Sequence, residues 1–201
     1  MKIIFDNKKI IVFDLDGTIV NLTADWIALK DVLIKKYKQI YNDNCDFKRI
    51  SKCLDSIVKK NDEQVLENFF DIIRHYELEN IKETQPINET IFFIKNKELF
   101  GVKKETKFAV LSLNTRISVI RALEIANIAK KIDFIVGRED VRKWKPAPDG
   151  LLKIEDHYGV KKEQVIYFGD LESDILTGKN AGIESYFIDD LINLVRKKLV
   201  N

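Results

Sequence analysis

Five short runs of β-branched and aromatic residues punctuate the chain, at 10–14 (IIVFD), 107–112 (KFAVLS), 132–136 (IDFIV), 165–169 (VIYFG) and 185–188 (SYFI). They are continuously apolar rather than alternating, as expected of strands covered on both faces. Helical patterns separate them, and strands alternating with helices build a parallel sheet with right-handed crossovers. The predicted class is therefore α/β, a Rossmann-like three-layer core around a five-stranded parallel sheet. Thr115 is placed to N-cap a helix whose apolar stripe is Ile117, Ile120, Leu123 and Ile128. Pro148 at a first turn and Gly159 beyond a last one bracket another.

The alternation fails between residues 22 and about 82, where three helical patterns follow one another without a convincing strand. The first is Leu22, Trp26, Leu29, Leu33, Tyr37 and Ile40; the second is Phe47, Ile50, Leu54 and Ile57. The third opens with Asn61 and Gln64 at capping-box spacing and carries Val65, Leu66, Phe69, Ile72 and Ile73. Pro86 then restarts a helix that ends before Gly101. The expectation is a small all-helical cap, residues 19–85, inserted after the first strand of a core made of residues 1–18 and 86–201.

The 34 basic and 32 acidic side chains are interspersed, so no strong field draws nucleic acid or an anionic membrane. The apolar start Ile3-Ile4-Phe5 is cut by Asp6, too short for a signal peptide. No run approaches the ~18 apolar residues of a membrane span, and the cytoplasm is the expected location. Cys45 and Cys53 fit neither a CxxC redox motif nor a zinc site and are read as reduced structural thiols.

Four places carry chemistry. Strand geometry puts Asp14 and Asp16, in DLDGT, on the same side at the carboxyl end of a strand, where open α/β sheets bind ligands. Gly17 lets the chain turn there. Asp170 and Asp174, in GDLESD, again follow an apolar strand. Four carboxylates at one sheet edge repel one another unless a cation lies among them. Magnesium fits best, since it takes one or two carboxylates and shares phosphate oxygens. Lys145, in RKWKPAPDG, supplies a fixed positive charge, and Ser112 ends the second strand with a hydroxyl able to donate to a phosphate oxygen.

This ordered set resembles the four motifs of the haloacid dehalogenase-like superfamily: DxDGT, a strand-terminal Ser or Thr, a Lys, and GDxxxD. The insertion is similar to the small helical cap of its phosphoglycolate phosphatase-like and β-phosphoglucomutase-like members. The resemblance implies a phosphatase acting on a small phosphorylated metabolite, with Asp14 as nucleophile, Asp16 as general acid and base, and Lys145 balancing charge. It implies Ser112 and Lys145 as phosphate holders and Mg²⁺ bound by Asp14, Asp170 and the backbone carbonyl of Asp16, with Asp174 ligating or orienting. Leu113 stands where many relatives have Asn or Gly, so Ser112 and Asn114 are both candidates for the second-motif contact.

A sugar-phosphate mutase would use the same core, and a non-catalytic phosphate- or partner-binding protein is the remaining alternative. Monomer and dimer are both open. Specificity is expected in the cap, with Trp26, Arg49, Arg74 and His75 as candidates, each with a plain core or surface reading. Arg116, Arg138 and Arg142 read as solvated charges, Trp144 as a loop anchor, and His157 as a charge near a helix C-terminus.

Overall fold

A computed structural model describes residues 3–200. The chain runs β1 (Ile10–Phe13), β2 (Val20–Asn21), α1 (Trp26–Tyr41), α2 (Ile50–Lys59), α3 (Glu63–Glu79), β3 (Gln85–Pro86) and α4 (Asn88–Lys95). It continues through β4 (Lys107–Leu111), α5 (Arg116–Ile125), β5 (Phe134–Val136), α6 (Asp149–Tyr158), β6 (Val165–Gly169), α7 (Glu172–Ala181), β7 (Glu184–Phe187) and α8 (Ile188–Val200). Five strands form a parallel sheet in the order β5-β4-β1-β6-β7.

Alternate residues of each strand enter different cores, as the two-residue period of a strand requires. Ile11, Phe13, Val110 and Phe168 pack with Phe93 of α4, Val119 and Leu123 of α5 and Leu191 of α8. Ile10, Val12, Leu111 and Tyr167 pack on the other face with Leu151 and Ile154 of α6 and Ala181 of α7. The result is the expected three-layer α/β fold. β1 lies centrally, with β4 on one side and β6 on the other, so its carboxyl end opens into the crevice where the strand order reverses.

The segment between β2 and β3 is all helical and has its own core, which includes Leu29, Leu33, Phe47, Leu54, Phe69 and Ile73. Phe47 stacks on Phe69 with ring centroids 5.8 Å apart. Trp144, from the far side of the sequence, is part of this core, and Leu113 packs against it.

Four local expectations change. Helix α1 begins at Trp26, because Asp25 caps it by accepting from Ala28 N at 2.9 Å; Leu22 lies before it. Asp62, not Asn61, caps α3, accepting from Val65 N at 3.2 Å, while Asn61 adopts φ 55° in the preceding turn. Pro86 belongs to β3, which pairs antiparallel with β2, and the helix starts at Asn88. Cys45 and Cys53 are not free thiols: they form a disulfide across a Cα–Cα distance of 5.9 Å. Left-handed residues at Asn42 and Phe47 fold the α1–α2 loop back on itself and bring Cys45 against α2, a tertiary approach that sequence spacing does not encode. No described helix is long and apolar enough to cross a membrane.

Candidate active site

Asp14 follows β1 directly, and its N–H donates to Phe168 O at 2.8 Å, continuing the pairing with β6. The chain then coils tightly: Leu15 O accepts from Ile19 N at 2.8 Å and Val20 N at 3.1 Å, and Gly17 N donates to Val20 O at 2.7 Å. Leu15 is fully buried and packs into the core, leaving the flanking acids to face the crevice. Gly17 has φ 76°, and a Cβ on it would collide with the Asp170 carboxylate, so glycine is required twice over. Asp16 is fixed by Leu22 N, which donates to its Oδ1 at 2.8 Å. Burial raises the Asp16 pKa, partly offset by the backbone hydrogen bonds from Leu22 and Gly17 and by Lys145.

Lys145 is buried between carboxylates, its Nζ 2.9 Å from Asp14 Oδ1 and 2.6 Å from Asp174 Oδ1. Burial alone would depress the ammonium, but the two carboxylates outweigh it and raise its pKa, so it stays charged. Asp174 is committed to the protein: its Oδ1 also accepts from the Tyr167 hydroxyl at 2.7 Å, and its Oδ2 from Leu171 N at 3.0 Å. Burial, reinforced by Asp174, pushes Tyr167 well above its ordinary range and keeps it a neutral donor. Tyr167 was not picked out from the sequence, where it reads as one more aromatic in a buried strand.

Asp14, Asp170 and Asp174 each place a carboxylate oxygen within 4.8 Å of the others. Burial raises Asp14 to about 7 despite Lys145, with Asp174 adding to the rise; burial and Asp174 likewise raise Asp170. Asp170 Oδ1 is buried with no hydrogen-bond donor among the described residues. An orphaned carboxylate oxygen within a cluster of three carboxylates is what a hard divalent cation satisfies, so the residues present fit one. Asp14 and Asp170 have oxygen capacity to spare, whereas both Asp174 oxygens already accept from protein donors.

At the end of β4, Ser112 and Asn114 bind one another: the Ser112 hydroxyl donates to Asn114 Oδ1 at 2.9 Å and accepts from Asn114 N at 3.1 Å. Asn114 borders a cavity of about 370 Å³ that also touches Asp14, Asp16, Lys145 and Asp170, while Ser112 is not on its lining. The other support is Glu77 of α3, a buried acid that sequence reasoning missed. Its Oε1 accepts from Asn114 Nδ2 at 3.0 Å, and its Oε2 from Thr115 N at 2.9 Å and Thr115 Oγ1 at 2.6 Å. Thr115 is the N-cap of α5, as expected, yet its own side chain does not cap the helix; Glu77 accepts from the Thr115 N–H, and Glu139 Oε2 accepts from the first helical N–H, that of Arg116, at 3.0 Å.

Of the other charged candidates, Arg138 is buried rather than solvated. Its Nε and Nη1 have no hydrogen-bond acceptor, and although burial lowers its pKa, Glu77 and Glu139 support the charge. Its carbonyl accepts from Trp144 Nε1 at 2.8 Å, which anchors the Lys145 loop as expected. Arg142 reaches Glu63 of α3 at 3.1 Å, Arg116 pairs with Asp140 at 2.7 Å, and Arg74 pairs with Asp71 at 2.5 Å. His157 stacks on Phe134 at 3.7 Å, and His75 packs edge-on against Tyr76. Trp26 and Arg49 both face a further cavity beside the one that Asp14 borders, which Arg74 and His75 do not border.

Comparison with known proteins gives the family. Residues 11–188 match the sequence model of the haloacid dehalogenase-like hydrolases. A pyrophosphatase PpaX from Halalkalibacterium halodurans is 28% identical over 180 residues, covering 87% of this chain and 80% of that protein. A phosphoglycolate phosphatase from Aquifex aeolicus is 28% identical over 185 residues, covering 88% and 83%. Among solved structures, a subfamily IA hydrolase of the same superfamily from Geobacter sulfurreducens shares the fold with a TM-score of 0.55 and 17% identity, covering 94% of this chain and 97% of that one. The chain belongs to the haloacid dehalogenase-like hydrolases.

Proposed function

We propose that the chain is a magnesium-dependent phosphatase that removes the phosphoryl group from a small organic phosphate through an aspartyl-phosphate at Asp14. The observation that carries this reading is the pairing of Asp14 with a buried, charged Lys145 at 2.9 Å, in a pocket that also presents Asp16. The names of the relatives, a pyrophosphatase and a phosphoglycolate phosphatase, support a phosphate-releasing reaction.

An Asp14 oxygen attacks phosphorus in line, forming the acyl-phosphate bond as the bond to the ester oxygen breaks. Lys145 offsets charge on the phosphoryl oxygens, and Asn114, fixed by Ser112 and Glu77, borders the same space. Asp16, whose buried carboxyl favours the protonated form, gives its proton to the leaving alcohol. It then takes a proton from the water that attacks the intermediate, releasing inorganic phosphate and restoring Asp14. Asp14, Asp170 and the main-chain carbonyl of Asp16 would hold Mg²⁺, which supplies Lewis-acid stabilisation of the phosphoryl charge. Asp174 orients Lys145 and Tyr167 instead of binding the ion.

Residues 19–85 act as a cap over a core of residues 1–18 and 86–201, excluding water and contacting the organic part of the substrate. The separate apolar core of α1–α3 and the β2–β3 pair at both ends of the insertion support that division. Acid-quenching turnover with a good substrate and sequencing the phosphorylated peptide tests the mechanism. Phosphate on Asp14, absent from a folded and inactive Asp14→Asn variant, is the expected result. A folded Asp14→Asn variant that still turns over rejects the nucleophile.

A further inference from the structure

A cavity of about 810 Å³ adjoins the proposed catalytic pocket, and the two share Trp26, Leu113, Lys145, Leu171 and Ser173. Its volume is in the range of sites that enclose whole small organic molecules, well beyond the needs of one phosphoryl group. Part of its lining comes from the insertion, with Lys30 of α1 and Lys48, Arg49 and Lys52 at the start of α2. Asp55 and Glu172 are the acids on its lining, so basic groups outnumber acidic ones.

These cations are available. Among the described residues Lys48 pairs with Asp46 alone, at 4.0 Å with both side chains largely exposed, a pairing worth little. Among the described residues, Lys30, Arg49 and Lys52 have no carboxylate within ion-pair distance. Arg49 is also the N-cap residue of α2 and makes no side-chain hydrogen bond to its first turn, so the positive end of that helix borders the cavity too. The Cys45–Cys53 disulfide closes the ends of the segment carrying Lys48, Arg49 and Lys52, so these charges are presented on a tied loop. Trp26, Trp144 and Leu113 supply apolar surface on the same cavity.

Resting on the phosphatase reading above, we infer that this cavity selects substrates carrying a second anionic group on an apolar or planar body, with the body against Trp26 and Leu113 and the anion toward Arg49 and Lys52. The catalytic motifs read the transferred phosphoryl group, and the wall at the start of α2 reads the far end of the molecule.

The test compares phenyl phosphate with 4-carboxyphenyl phosphate, which differ by one distal anion. The readout is the ratio of kcat/KM for the two esters in the wild type and in Arg49→Glu/Lys52→Glu, with Arg49→Gln/Lys52→Gln as the charge-neutral version and thermal melts to establish folding. The ratio cancels any change common to both substrates. The wild type should favour the carboxylated ester, more strongly at low salt, and the charge reversal should lower the ratio about tenfold, the neutral pair by less. Turnover of both esters with no preference, or a preference that survives both variants, overturns the inference and leaves the phosphatase reading standing. No turnover of either ester and no phosphate on Asp14 removes the phosphatase reading and this inference with it.

Discussion

Asp14 is held near pH 7 by burial and by the neighbouring Asp174, against the pull of Lys145. A proton and the proposed divalent cation would therefore compete for the same carboxylate. Its raised pKa means that the folded protein binds a proton there below about 7, which the proposed Mg²⁺ would have to displace. Mg²⁺ binding should release protons near neutral pH, and affinity should weaken as pH falls through that value. Calorimetry in two buffers of different ionisation enthalpy measures the release; an identical heat in both, with pH-independent affinity, contradicts it. The acids were legible in the sequence because they follow apolar strands at fixed spacings, and strand ends converge in a parallel sheet; Lys145 was legible as a fixed positive charge in the loop beyond the third strand. Glu77 and Tyr167 were not, because each acts from inside an element on a partner brought to it by tertiary packing. Glu77 did leave a trace: it continues the buried stripe of Leu66, Phe70 and Ile73, and a charge on an apolar stripe calls for a buried partner.

At the scale of elements, Glu77 joins α3 to the start of α5. Glu77→Ala removes the acceptor from three donors and the counter-charge from Arg138, and should cost about 3 kcal/mol of unfolding free energy. It should also lower kcat/KM, because Asn114 loses one of its two side-chain supports. Glu77→Gln, which keeps an acceptor, should recover part of both losses; urea unfolding and steady-state kinetics check this, and an unchanged Glu77→Ala variant refutes the tie. The disulfide that ties the α1–α2 loop to α2 makes a separate prediction. Cys45→Ala/Cys53→Ala should lose about 2–3 kcal/mol, the entropy of closing so short a loop, read as a lower melting temperature than the oxidised wild type. The five strands were legible as continuous apolar runs, and the three inserted helices from their apolar period. The β2–β3 pair was not, since two residues per strand carry no period, and Asn61 was taken for a cap because a left-handed turn residue and an N-cap draw on the same residue types.

Across the whole molecule, a sheet edge that gathers acids around one lysine meets a helical insertion whose wall is basic, and Trp144 and Leu113 tie the two together. The balanced charge of the full sequence conceals this division, which appears only when the α1–α2 loop folds over the strand ends. The division suits a phosphate ester held at both ends, with the reacting end among the acids and a cation. Release of inorganic phosphate from a panel of small esters, with Mg²⁺ and then with excess EDTA, tests the central claim most directly. The account predicts release that requires the metal, stops on chelation and returns when Mg²⁺ is restored. Full turnover in excess EDTA, or no phosphate from any ester, would contradict it.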